Sequence, residues 1–215
     1  MKISKAVIVI LLASFIGNFF IYPFLPEIIP IHWSIGGTIN GTGSKNFIFL
    51  LGILPILIYM FLYLTSKFDA RIKSGKMSLK TYSIMTMIPV LILIIINWGL
   101  NISVLNPQIN MKWFLTAIMA STGIGFVVLG IYLARLKQNN VFGIRIRWTL
   151  SNEQVWEKTH RFGGRGFIII GLIVLALSFI KISASIIAMI TLLITFSILI
   201  IIYSYIQYKN IAKLP

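Results

Sequence analysis

Tyr22-Pro-Phe-Leu-Pro-Glu-Ile-Ile-Pro-Ile-His-Trp33 is the stretch on which the fold turns. It sets Pro23, Pro26 and Pro30 within eight positions, beside one of two histidines and one of four acidic residues. Proline has no N–H for a helix ladder and pushes the residue before it out of the helical region. An apolar helix running up to this point must therefore end here, and a shaped segment must follow. Gly36-Gly37 and Asn40-Gly41-Thr42-Gly43-Ser44 extend that segment as turn chemistry to Lys45, where the next apolar run begins. Ile28, Ile29 and Ile31 are apolar inside this linker, which predicts a segment lying against headgroups or folded back onto neighbouring helices. Tyr22 and Trp33 are amphipathic aromatics suited to a membrane interface.

Working outward, six apolar runs account for most of the chain: Ala6–Leu25, Phe47–Leu64, Ile84–Leu105, Phe114–Ala134, Phe167–Ile180 and Ser185–Tyr205. A helix needs about 20 apolar residues to cross a hydrocarbon core of roughly 30 Å. Four runs reach or approach that length, Phe47–Leu64 is slightly short, and Phe167–Ile180 must borrow flanking residues. Of 215 residues 58% are hydrophobic, and mean hydropathy is +0.96. The fold class expected is all-α, a polytopic transmembrane bundle of six spans. Lys2 and Lys5 before the first run would suit a signal peptide, but the run is long and no small-x-small cleavage site precedes the prolines, so the first span is expected to be retained.

Charge orients the bundle. With the N-terminus inside, 16 of the 19 Lys and Arg fall on the cytoplasmic side, leaving Lys45, Lys112 and Lys181 outside. This is the positive-inside pattern, with both termini cytoplasmic and Pro23–Lys45 extracytoplasmic. The net charge of +15 is then a property of loops facing anionic lipid rather than of a nucleic-acid surface. With no cysteine, the chain has no disulfide, thiolate nucleophile or iron–sulfur ligand.

Within the spans, Asn97 and Asn101 lie one turn apart on one face, which predicts interhelical hydrogen bonds or a pocket lining. Ala117, Ser121 and Gly125 repeat at four residues, a small-residue face for helix packing. The long polar loop Arg135–Gly166 has its own helix signals. Ser151 reads as an N-cap with Gln154 three residues on, flanked by Leu150 and Val155 as a hydrophobic staple. A short helix 151–162 is expected, ending at Gly163-Gly164. Val155, Trp156, Thr159 and Phe162 would form its apolar face against the membrane surface, and Glu157 and Arg161 an i,i+4 pair.

Chemical signatures are sparse. Glu27 with His32, and Glu157 with His160, are the metal candidates. Neither pair supplies three ligands, and the topology puts a membrane between them. H-E-x-x-H, G-x-S-x-G and P-loop patterns are absent. A transporter pathway built on Asn97, Asn101, Pro55 and Pro89 is open, though no span carries an acid for proton coupling. No cofactor is expected, and an enzyme is the lesser expectation.

Two motifs carry a resemblance. The pattern Tyr22-Pro-x-Leu-Pro-x-x-Ile-Pro-x-His-Trp33, with Gly36-Gly37 and Lys45, is similar to a short uncharacterised domain at the N-terminus of many bacterial membrane proteins. The pattern Asn140-x-x-Gly-Ile-Arg-x-x-Trp-Thr-Leu150, then Val155-Trp156, Thr159-His160-Arg161 and Gly163-Gly164, resembles the C-terminal signature of the SdpI family. The resemblance divides the chain into 1–66 (two spans and the Pro-rich loop 22–46), 67–134 (a basic inner loop with spans three and four) and an SdpI-like region 135–215. It implies a multi-pass protein of the bacterial cell membrane that gives immunity to a secreted membrane-active toxin peptide. It also implies signalling, by holding a small helix-turn-helix repressor at the membrane. The working residues implied are Pro23, Pro26, Glu27, Pro30, His32, Trp33, Gly36 and Lys45 outside. Inside they are Asn140, Gly143, Arg145, Trp148, Thr149, Trp156, Thr159, His160 and Gly163. Where the family has Thr-Pro before the tryptophan, this chain has Ile146-Arg147, and a proline-set bend is expected to be lost. The alternative to immunity is a membrane metal-dependent hydrolase or small-molecule transporter using Glu27 and His32.

Overall fold

The computed structural model describes residues 5–36, 38–68, 78–106 and 111–212. Gly37 of the first motif, and Arg71, Lys73 and Lys76 of the basic inner loop, lie outside them. In chain order the elements are α1 (Lys5–Ile21), a 3-10 turn (Tyr22–Phe24), β1 (Ile28–Trp33), β2 (Ile39–Ser44), α2 (Phe47–Phe68), α3 (Leu79–Leu105), α4 (Met111–Leu133), α5 (Arg147–Ser151), α6 (Glu153–Ser178) and α7 (Ile182–Ala212). Among the described residues, six helices are long and apolar enough to cross a membrane. The six-span, all-α expectation holds, with 79% of the structure helical.

The sequence did not announce the sheet. The Pro-rich stretch pairs antiparallel with the glycine-rich one, Ile28 opposite Ser44 and Trp33 opposite Ile39, with the register slipping on either side of His32. Pro30 fits because a two-stranded ribbon is all edge, and a proline beside a bulge leaves no ladder bond missing. The hairpin is folded back: Ile29 is fully buried among Leu25, Ile48, Leu100 and Phe114.

α4 and α6 form the tightest pair. A side chain on Gly130 would meet the Gly164 carbonyl at 2.4 Å, and one on Gly164 would meet the Gly130 carbonyl at 2.6 Å. Gly123 and Gly171 repeat this reciprocal contact two turns along. The close face of α4 is therefore Gly123 and Gly130, not Ala117, Ser121 and Gly125. Ala117 is exposed, and Gly125 faces Ile88 and Ile92 of α3.

The expected inner helix 151–162 is corrected in the same way. Gly163-Gly164 does not cap a short helix, because those glycines sit where two backbones touch and a turn would separate them. Helix α6 runs unbroken from Glu153 to Ser178, about 39 Å at 1.5 Å per residue. Its N-cap is Asn152 rather than Ser151: Asn152 Oδ1 accepts from the N–H groups of Gln154 and Val155 at 2.9 and 3.0 Å. Ser151 closes the preceding short helix α5 instead.

Candidate functional site

At one end of the bundle the hairpin is fixed to the helices at its base and along its inner face. Pro23 in the 3-10 turn ends α1. Lys45 then ties three elements together. Its N–H donates to the Glu27 carbonyl at 3.0 Å, and its ammonium lies 2.8 Å from Glu27 Oε1 and 4.6 Å above the Tyr22 ring. The Glu27 carboxylate, hydrogen-bonded to it, raises the Lys45 ammonium above its ordinary 10.5. Tyr22 OH donates to Asn46 Oδ1 at 2.7 Å. Trp33 packs edge-on to Phe114 of α4 at 5.7 Å, its Nε1 buried with no partner among the described residues. Tyr22 and Trp33 are half-buried, each making ring contacts within the protein.

The outer surface of the hairpin carries His32, whose Nδ1 donates to Asn40 Oδ1 across the strands at 2.6 Å. Pro26, Glu27, Ile28, Ile35, Gly36 and Ile39 are exposed around it, and Pro30 is half-buried. Glu27 and His32 stand five residues apart along an extended chain, roughly 16 Å at 3.3 Å per residue. The structure therefore does not bring these two metal candidates together, and Glu27 is already committed to Lys45.

Beneath the hairpin, Asn97 and Asn101 find the partner the sequence did not name. Asn18 of α1 accepts from Asn97 Nδ2 at 3.2 Å and from Asn101 Nδ2 at 2.8 Å, all three fully buried. Trp98 Nε1 donates to Ser14 Oγ on α1 at 2.8 Å. These are interhelical hydrogen bonds that hold α1 against α3. Ser14 and Asn18, polar residues one turn apart within the first apolar run, were the signal that went unused.

The opposite end is a built polar structure. His160 on α6 is fully buried and stacks on Trp156 at 3.9 Å between ring centres. Its Nε2 accepts the Ile144 N–H at 3.0 Å, and its Nδ1 is 2.8 Å from the Trp156 carbonyl. A backbone N–H can only donate and a carbonyl can only accept, so the ring is the neutral Nδ1–H tautomer. With both nitrogens used, His160 cannot serve as a metal ligand. Glu157, its neighbour in the metal expectation, pairs with Arg161 instead, as its i,i+4 spacing indicates. Among the described residues no three His, Asp or Glu side chains come together.

Gly143 passes over this stack with φ +115, a conformation that side chains resist, and a Cβ there would lie 2.3 Å from His160 Nε2. Trp156 Nε1 donates to the Leu136 carbonyl at 2.8 Å. The apolar face of α6 thus packs within the protein, Trp156 against Leu136 and Gly143 and Phe162 stacked on Tyr203 of α7 at 4.3 Å. Thr149 fixes the entry to α5: its Oγ1 accepts the Ile146 N–H at 3.1 Å and lies 2.7 Å from the Ile144 carbonyl. Arg147 occupies the first position of α5, where a proline would also fit. Trp148 Nε1 donates to Ser204 Oγ at 2.7 Å, tying α5 to α7. Arg145 and Asn140 are exposed, Gly163 and Thr159 are buried, and the Thr159 hydroxyl has no partner among the described residues.

Sequence reasoning missed two organisers here. Asn139 is fully buried, and its Oδ1 takes the N–H groups of Val141 and Phe142. Gln138 Nε2 donates to the carbonyls of Thr149 and Leu150. Between residues 134–138 and the first turns of α6 lies a pocket of about 210 Å3 rimmed by Arg135, Lys137, Glu153, Glu157 and Arg161.

Residues 135–205 match the model of the SdpI/YfhL protein family, and residues 9–58 match a domain of unknown function, DUF1648. The first match covers the loop-end structure with α6 and most of α7. The second covers α1, the hairpin and the first half of α2. A relative in Bacillus subtilis (strain 168), Immunity protein SdpI, is 25% identical over 98% of this chain and 98% of its own length. No solved structure matches. With both motif regions matched and nearly the whole chain similar to that relative, the protein is a multi-pass bacterial membrane protein whose residues 135–205 are similar to the SdpI/YfhL family.

Proposed function

We propose that this protein is an integral membrane immunity protein whose hairpin, presented on the extracytoplasmic face, meets a secreted membrane-active toxin peptide. The observation that carries this reading is the hairpin itself. It is anchored by Ile29 and the Lys45–Glu27 base, yet keeps Ile28, Ile35, Ile39 and the His32–Asn40 pair facing outward. A recognition surface needs this combination of a rigid base and an exposed, partly apolar face. The near-full-length likeness to a protein named for immunity supports the same reading. The charge asymmetry supports an orientation with both termini cytoplasmic.

In that orientation the loop end faces the cytoplasm. The segment 134–151, fixed by His160, Thr149, Asn139 and Trp148, is then the surface on which a small repressor would be held. Two measurements test the proposal. Reporter fusions after Asn40 and after Arg145 should report opposite sides of the membrane, and a cytoplasmic signal from the Asn40 fusion rejects the orientation. Expression in cells sensitive to the killing factor of the SdpI system should raise survival, and survival equal to that of the empty vector rejects the immunity assignment.

A further inference from the structure

Helices α3 and α4 do not close on each other along their whole length. Between them runs a groove of about 370 Å3, lined by Met87, Ile88, Leu91 and Ile95 of α3 and by Ile124 and Gly125 of α4. It extends from Ser83 to Ile95, about 18 Å at 1.5 Å per residue. That is close to one leaflet of a hydrocarbon core of roughly 30 Å. Both helices are membrane-spanning candidates throughout this length. The two serines at its ends are already bonded within their own helices, Ser83 Oγ to the Leu79 carbonyl and Ser121 Oγ to the Ile118 carbonyl. The groove therefore offers an occupant apolar surface and no hydrogen bonds.

Its polar mouth is what selects that occupant. On α3, Lys80 precedes Ile84 by four residues and Met87 by seven, so it stands on the groove face one turn beyond the lining, and it is exposed. On α4, Tyr132 follows Val128 by four residues on the same face, and the Arg135 guanidinium lies 5.9 Å from the centre of its ring. Among the described residues neither cation is paired with an acid. Helical spacing thus sets Lys80 and Arg135 one turn beyond the same end of the groove, with Arg135 over the Tyr132 ring and also on the rim of the pocket that holds Glu153 and Glu157.

We propose that this groove is a binding site for one anionic phospholipid, an acyl chain lying along Ile84–Ile95 and the phosphate held between Lys80 and Arg135. Hydrocarbon fits the lining, and a cation near a membrane surface strengthens the hold on anionic lipid about fivefold. The site lies on a different helix face from the Gly130–Gly164 contact and at the opposite end from the hairpin, so it stands apart from the proposed immunity surface.

The test uses the full chain reconstituted in phosphatidylcholine bilayers with trace chain-spin-labelled phosphatidylglycerol or phosphatidylcholine. Electron spin resonance counts the motionally restricted lipid. The wild-type chain should restrict phosphatidylglycerol in preference to phosphatidylcholine. Lys80→Gln and Arg135→Gln should each cut that preference about fivefold, with phosphatidylcholine restriction unchanged. Ile124→Trp, at a position 53% exposed and so free to change without repacking the bundle, should fill the groove and lower the restricted population of both lipids. Equal restriction of the two lipids by the wild type overturns the proposal, as does a preference that survives the double K80Q/R135Q variant. A groove covered by a second copy or by a peptide helix would leave restriction unaltered by Ile124→Trp, and that result overturns it too.

Discussion

At the residue scale, small side chains decide more here than charged ones. Gly164 has no room for a methyl group, since a Cβ would lie 2.6 Å from the Gly130 carbonyl and 3.0 Å from Ala134 Cβ. Backbone cannot yield as a flexible side chain can, so Gly164→Ala should push α4 and α6 apart at a cost of about 1–3 kcal/mol. Thermal unfolding in detergent should show a clear drop, while Gly36→Ala, with its nearest neighbour 3.7 Å away, should unfold as the wild type does. Asn18 is the other sensitive position. Asn18→Ala strands the Asn97 and Asn101 amides inside the bundle, and membrane hydrogen bonds of this type contribute about 0.6–1.7 kcal/mol each. The same unfolding assay should register the loss, and a double change of Asn97 and Asn101 to Leu should recover part of it by removing the stranded donors. Both positions were partly visible in the sequence. The i,i+4 spacing put Asn97 and Asn101 on one face, but nothing local to α3 points to a partner 79 residues away.

At the element scale, the hairpin and the loop-end segment are each held by one buried residue. Ile29 plugs the hairpin into the helices, and truncating such a side chain costs about 2–5 kcal/mol. Ile29→Ala should therefore raise amide exchange across 28–44 and leave the α4–α6 pair protected. His160 does the same work at the other end. His160→Ala removes the acceptor for the Ile144 N–H and the ring stacked on Trp156, so exchange should rise across 139–146. A Gln at 160 should restore protection only in part, because its amide keeps the acceptor and loses the stack. Spans, the Pro23 stop and the Glu157–Arg161 pair were all legible, since each rests on local spacing. The β-hairpin was not, because its strands carry two glycines and a proline where alternation would normally speak, and its apolar anchor is a single isoleucine. The unbroken α6 was missed for a related reason. Glycines at 163 and 164 carry the signature of a helix end, and only the neighbouring backbone shows that they serve close packing instead.

At the scale of the whole molecule, the bundle joins two shaped ends through tightly packed helices. The hairpin end holds its form through Ile29, Trp33 and the Asn18 triad, and the loop end through His160, Thr149, Asn139 and Trp148. The α4–α6 backbone contact runs between them. Among the described residues, His160 is committed through both nitrogens, Glu157 to Arg161 and Glu27 to Lys45. The proposed immunity function depends on recognition by the hairpin. The most direct test is survival of sensitive cells exposed to the killing factor of the SdpI system, comparing the wild-type chain with His32→Ala at equal membrane abundance. The wild type should protect, and His32→Ala should lose at least tenfold of that protection while unfolding at the wild-type temperature. Full protection by the folded His32→Ala protein, with Ile28→Ser and Ile39→Ser equally protective, would contradict the hairpin as the working surface.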